Sequence, residues 1–155
     1  GLSVIQGAVL SGAYPIIAID LYDEKLKIAK KFGATHTINS GTHSVTTKLE
    51  KILGLAKPDV VVDNTGITDV INQAYNITSA SGRTVLVGVP RKGQNASIDT
   101  LPLHFKKQLI GSEGGDCRPE IDIPNYMRLH KNNILNLEGM ITAHYSLDDI
   151  NTFIQ

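Results

Sequence analysis

Five stretches, IIAID (residues 16–20), THTIN (35–39), PDVVVDNTG (58–66), RTVLVGVP (83–90) and KQLIGSE (107–113), constrain the fold of this chain more than any other feature. Most are short, near-continuous apolar runs closed by a polar residue or glycine, the pattern of strands covered on both faces. Between them the apolar period changes to three and four. Leu2, Ile5, Val9 and Ala13 make one stripe, which Gly12 and the following AYP turn stop. Leu26, Ala29 and Phe32 make a second, with Asp23 as its expected N-cap and Gly33 as its stop. Residues 44–55, with Ser44 leading, make a third, and Val70, Ile71, Ala74 and Ile77 a fourth. Strand and helix alternate five strands deep, which predicts an α/β fold with a doubly wound parallel sheet. No repeat, linker or low-complexity segment interrupts it. Further on, Ile123, Met127 and His130 are helically spaced, and Ser146 is expected to cap a helix carrying Leu147, Ile150 and Ile154.

A chain of 155 residues is long enough to bury one core. Lys+Arg and Asp+Glu number 15 each, so no net field attracts a polyanion, and a nucleic-acid partner is not expected. The lone cysteine, Cys117, allows no internal disulfide, which suits a reducing compartment. No apolar run reaches the roughly 18 residues that span a bilayer, and no basic stretch precedes an apolar one at the start. The expectation is a cytoplasmic domain without a membrane partner.

In open parallel sheets, ligands bind beyond the carboxyl ends of the strands. Here those ends read Asp20, then Asp63-Asn64-Thr65-Gly66, Gly88-Val89-Pro90 and Gly111-Ser112-Glu113. Asp20 follows Gly1 by 19 positions, close to the spacing of about 20 that separates a glycine-rich turn from the acid that accepts the hydroxyls of an adenine ribose. Such a carboxylate also repels a 2′-phosphate. The plainer reading of Asp20 is a cap on the turn that follows it. Gly1 begins a helix whose free N–H groups and positive dipole end, at Leu2, suit a pyrophosphate.

GLSVIQGAVLSGAYPIIAIDLYDEKLKIAKKFGATHTIN, GRTVLVGVP and IGSEGGD, taken together and in this order, resemble the coenzyme-binding Rossmann domain of the zinc-containing medium-chain alcohol dehydrogenases. The resemblance runs through nearly the whole chain and is most specific in the first stretch. It implies NAD as coenzyme, with hydride passing between nicotinamide and an alcohol or carbonyl carbon. It aligns Gly1 with the last glycine of the family's turn, Asp20 with the ribose acid, and Lys25 with a lysine that approaches the same ribose. It places Thr65 and Gly66 on the adenine side, and Val87, Gly88, Val89, Ser112 and Glu113 where backbone groups meet the nicotinamide and its carboxamide. It also implies a homodimer or homotetramer through edge pairing at ASIDTLPLHF, Ala96 to Phe105. Residues 1–140 then form the NAD-binding part, and residues 141–155 begin the return to a catalytic domain.

The family's zinc polarises the substrate oxygen from Cys and His ligands that lie in that other domain, and the resemblance supplies none here. His36, His43, His104, His130 and His144 have no ligand spacing and read as surface or packing residues, Cys117 as a plain loop thiol. Lys27, Lys30 and Lys31 read as a solvated helix face, and Arg91 as a loop residue that could reach a phosphate. A zinc-free, NADPH-dependent quinone-reductase-like enzyme and a non-catalytic dinucleotide sensor are the alternatives. Asp20 disfavours the first, and the helices after IGSE disfavour the second.

In the sheet order 3-2-1-4-5-6 the first strand is central. This sequence starts at the helix after that strand, so it reads as a fragment in which IIAID and DVVVDN each lose a row of hydrogen-bond partners.

Overall fold

Each of the five predicted runs forms a strand of four residues, and every pairing among them is parallel. The computed structural model describes residues 1–141 and 143–153. In chain order the elements are α1 (Leu2–Leu10), β1 (Ile17–Asp20), α2 (Asp23–Lys31), β2 (His36–Asn39), α3 (Val45–Leu53), β3 (Val60–Asp63), α4 (Thr68–Ile77), β4 (Arg83–Leu86), β5 (Gln108–Gly111), α5 (Pro119–Lys131) and α6 (Ile150–Phe153). β1 pairs with β2, Ile17 opposite His36 and Asp20 opposite Asn39. β4 lies between β3 and β5, Val60 opposite Arg83 and Arg83 opposite Gln108. The ladders stop there, leaving a two-stranded and a three-stranded sheet. β1 and β3 therefore each have one neighbour, and Ile19 and Val60 are exposed.

Successive residues of β1 show why the fold is doubly wound. Ala18 packs with Ile5 and Ala8 of α1 against buried Ile16, Ala29 and Ala34, whereas Ile17 joins Ile38, Val45 and Leu49 together with Ile52, Leu53 and Ile77. Side chains alternate across a strand, so a run with no polar alternation must be covered by helices on both faces.

The helix boundaries follow local chemistry. Ser44 caps α3 as expected, its Oγ accepting from the Thr47 amide at 3.4 Å, and Gly54 ends it at φ 67°. α2 differs from expectation: Tyr22 is its N-cap, and Asp23 is the first helical residue, where with Glu24 it faces the positive end of the dipole. α1 stops at Leu10, before Ala13, and it buries Gln6 while Val9 is half exposed. Val9 lies instead against Gly33, where a Cβ would stand 2.4 Å from its Cγ2.

Around β4 the interior is polar yet satisfied. The hydroxyls of Thr78 and Thr84, both fully buried, bond each other at 2.7 Å, and Thr78 Oγ1 also contacts the Ala74 carbonyl at 2.7 Å. Lys107 donates to the Thr78 carbonyl at 2.9 Å and sits 4.3 Å from the centroid of the buried Tyr75 ring. Burial pushes the Lys107 ammonium below the usual lysine range, with nearby Lys57 adding to the effect, and pushes the Tyr75 phenol up.

By its contacts the chain divides into two units, one of Gly1 with Ser3–Cys117 and one of Leu2 with Arg118–Gln155. In the second, α5 starts at Pro119, where a missing N–H costs nothing, and runs through Pro124. Ser146 stands at the expected N-cap position, of a 3₁₀ turn at Leu147–Asp149 that precedes the short α6, but its hydroxyl donates to the Asp149 carboxylate at 2.7 Å and accepts no amide among the described residues. The expected contribution of Ile154 lies outside the described residues. Among the described residues no helix is long and apolar enough to cross a membrane.

Candidate functional site

β1 ends at Asp20 because the carboxylate turns the chain. Its Oδ1 accepts the Tyr22 amide two residues on at 3.0 Å, and its carbonyl accepts the Ser40 amide at 3.0 Å. The turn-capping reading is thus realised, but by one oxygen only. Among the described residues Oδ2 makes no hydrogen bond, which leaves it able to accept from a ligand. The Lys25 ammonium stands 5.1 Å from the centroid of the Tyr22 ring. Tyr22 therefore touches both members of the pair that the sequence points to, through its backbone and through its ring.

α1 begins immediately after Gly1, whose carbonyl accepts the Ile5 amide at 3.2 Å. No side chain caps this helix, its first turn holds no acid, and nothing lies within 4 Å of where a Gly1 Cβ would be. The first N–H groups at Leu2 are consequently open to an anion.

At β3 and β4 the predicted residues converge. Asp63, 3% exposed, takes the Thr65 amide (3.1 Å) and Thr65 hydroxyl (2.7 Å) on Oδ1 and the Gly66 amide (3.0 Å) on Oδ2. Its carbonyl takes the amides of Val87 at 2.8 Å and Gly88 at 3.0 Å. Gly66 has φ 67°, and a Cβ there would stand 2.5 Å from the Val89 carbonyl oxygen. Thr65, Gly66, Val87, Gly88 and Val89 are thereby gathered into one wall. Ser112 extends the edge of that wall, its amide on the Leu86 carbonyl at 2.9 Å and its hydroxyl accepting the Gly115 amide at 3.2 Å. Glu113 follows, exposed. No hydrogen bond or ring contact among the described residues joins the Asp20 group to the Asp63 group; each stands at the carboxyl ends of its own sheet.

Sequence reasoning named Asp63 as a strand end but did not select it, and it passed over Tyr22. The signal for Asp63 was the same as for Asp20: an acid closing an apolar run, here followed by Thr and Gly. Ala96–Phe105 forms no strand within this chain. Part of its backbone is engaged with α4: the Ser97 amide bonds Asn72 Oδ1 (3.0 Å) and the Asp99 carbonyl accepts from Tyr75 Oη (2.8 Å), while Leu101–Phe105 is a 3₁₀ turn. A cavity of about 430 Å³ beside β2, lined by Asp23, Lys30, His43 and Lys48 among others, contains none of the predicted site residues. Among the described residues no three His, Cys, Asp or Glu side chains come together as metal ligands would.

The chain is similar over its length to known proteins. It is 35% identical to an alcohol dehydrogenase 2 of Oryza sativa subsp. japonica, over 98% of this chain and 41% of that one. It superimposes on benzyl alcohol dehydrogenase from Acinetobacter calcoaceticus with a TM-score of 0.92 at 29% identity, covering 99% of this chain and 42% of that one. It also superimposes on a protein of Sinorhizobium meliloti 1021 solved with bound NADP, with a TM-score of 0.84 at 25% identity, over 99% and 44%. The chain spans about two fifths of the length of the curated relatives it matches. Residues 1–132 match the family described as zinc-binding dehydrogenase. With that match and the parallel sheets around a glycine-led helix, the chain belongs to the zinc-binding dehydrogenase family.

Proposed function

We propose that this chain is the coenzyme-binding part of an NAD(H)-dependent alcohol dehydrogenase, in which hydride passes between the carbon of an alcohol or carbonyl compound and the nicotinamide. The observation that carries it is Asp20, which ends β1 with one carboxylate oxygen unbonded, downstream of an uncapped helix N-terminus. In this reading the amides after Gly1, from Leu2 on, hold the pyrophosphate. Asp20 accepts from the adenine ribose, and Lys25 approaches the same sugar. Thr65 and Gly66 line the adenine side, while Val87, Gly88, Val89, Ser112 and Glu113 offer backbone groups to the nicotinamide carboxamide. Gly66 and Gly88 let the two loops close on each other, since a Cβ at either would meet the other loop's backbone. NAD supplies the hydride acceptor; the chain's own residues bind it, orient it and exclude water from one of its faces.

Zinc is implied by the family, yet the described residues of this chain offer no ligand cluster that fits it. The substrate oxygen would be polarised by residues of the full-length protein that carries this chain. A cytoplasmic homodimer or homotetramer, with Ala96–Phe105 at the interface, belongs to the same reading: Leu101 and Phe105 are exposed on that segment.

NADP(H) is the second reading, favoured by the NADP bound to the Sinorhizobium meliloti neighbour. Titrating the full-length protein with NADH and with NADPH, read by nicotinamide fluorescence, separates the two. Tighter NADH binding is expected; tighter NADPH binding overturns the assignment of Asp20.

A further inference from the structure

The residue that organises the wall does not itself lie among those that would touch the coenzyme. Asp63 is almost fully buried, and a buried carboxylate is tolerated only when its lone pairs are matched by donors. Here three donors meet the carboxylate, two backbone amides and one hydroxyl, and all three come from Thr65 and Gly66. Two more amides, from Val87 and Gly88, meet its carbonyl. One residue thus fixes two loops that are far apart in sequence. The loops also touch directly, because a Cβ on Gly88 would stand 2.2 Å from the Gly66 nitrogen. Any change in how Asp63 holds Gly66 must therefore displace Gly88 and Val89.

We infer that Asp63 is the positioning residue of the coenzyme site: through its five donors it holds the adenine-side loop (Thr65, Gly66) and the nicotinamide-side loop (Val87 to Val89) in one arrangement that binds a dinucleotide. This rests on the coenzyme reading above. Losing an acceptor lets the two loops separate, so the free protein must reorder them when ligand binds, and affinity falls even where the fold survives.

The test uses the full-length protein with Asp63→Asn and Thr65→Val, each titrated with NADH by fluorescence at a temperature where circular dichroism shows it folded. Asparagine keeps the size but turns a donor toward a donor. Asp63→Asn is expected to raise the NADH dissociation constant about tenfold. Thr65→Val, which removes the hydroxyl that donates to Asp63 and accepts the Ile67 amide, is expected to raise it about threefold. A purely structural role would lower the melting temperature and leave the affinity of the folded protein unchanged. Unchanged NADH affinity in the folded variants, beside a wild type that binds NADH, overturns the inference alone. A wild type that binds neither NADH nor NADPH overturns the coenzyme reading, and this inference with it.

Discussion

Gly66 and Gly88 cross backbone to backbone at the carboxyl ends of β3 and β4, so closely that a Cβ on Gly88 would stand 2.2 Å from the Gly66 nitrogen. Such an approach holds only if neither residue carries a side chain. Beyond Asp63 and Leu86 the Thr65 and Gly66 amides turn to the Asp63 carboxylate, while the Val87 and Gly88 amides share the Asp63 carbonyl.

Gly88→Ala therefore has to push the Asn64–Gly66 loop away. A destabilisation of about 1–3 kcal/mol is expected, together with weaker NADH binding. Urea melts and an NADH titration of the same full-length variant check both. A variant as stable as the wild type would show that the loops are not held in contact.

Asp20 caps its own turn with one oxygen and leaves the other unbonded. Asp20→Ser can still accept the Tyr22 amide through its hydroxyl, but it removes the charge that opposes a 2′-phosphate. The ratio of NADPH to NADH affinity is expected to rise about tenfold. An unchanged ratio, measured by parallel titrations, would confine Asp20 to the turn.

Lys107 is a buried cation whose folded state disfavours the proton, by burial first and by Lys57 second. With the folded value below the unfolded one, the unfolded chain binds more protons between the two, so stability rises with pH across that window. Wild-type melts are expected to gain on Lys107→Met as pH rises through the window that ends at the usual lysine range. Above that, the Tyr75 phenol acts in the opposite sense. Its folded value is raised by burial, so the folded form holds a proton that the unfolded chain has lost, and stability falls. A constant difference between wild type and Lys107→Met across the window would mean that Lys107 does not feel its burial.

β1 and β3 each leave one edge of backbone N–H and C=O groups unpaired, and Ile19 and Val60 on them are exposed. The 155-residue chain alone is expected to melt in urea at lower concentration, and less cooperatively, than the full-length protein that carries it. Equal midpoints and slopes would show that the two sheets need nothing between them.

Five strands, the two-faced burial of the first, the Ser44 cap and the place where β1 and β3 lack a neighbour were all legible in the residues, because period and capping act over a few positions. So was the membership of the chain in its family, through motifs spread over most of its length. The sequence by itself also marked Asp20 and Lys25, which lie within one turn of chain. Tertiary structure alone decided what lies between distant segments. It showed that Asp63 serves two loops, that Tyr22 stands beside Lys25, that Val9 rests on Gly33 rather than in a stripe, and that part of Ala96–Phe105 engages α4. The physical reason is the same in each case. A hydrogen bond or a close backbone approach between residues remote in sequence leaves no periodic trace, and it becomes visible only when the parallel strands bring their carboxyl ends together.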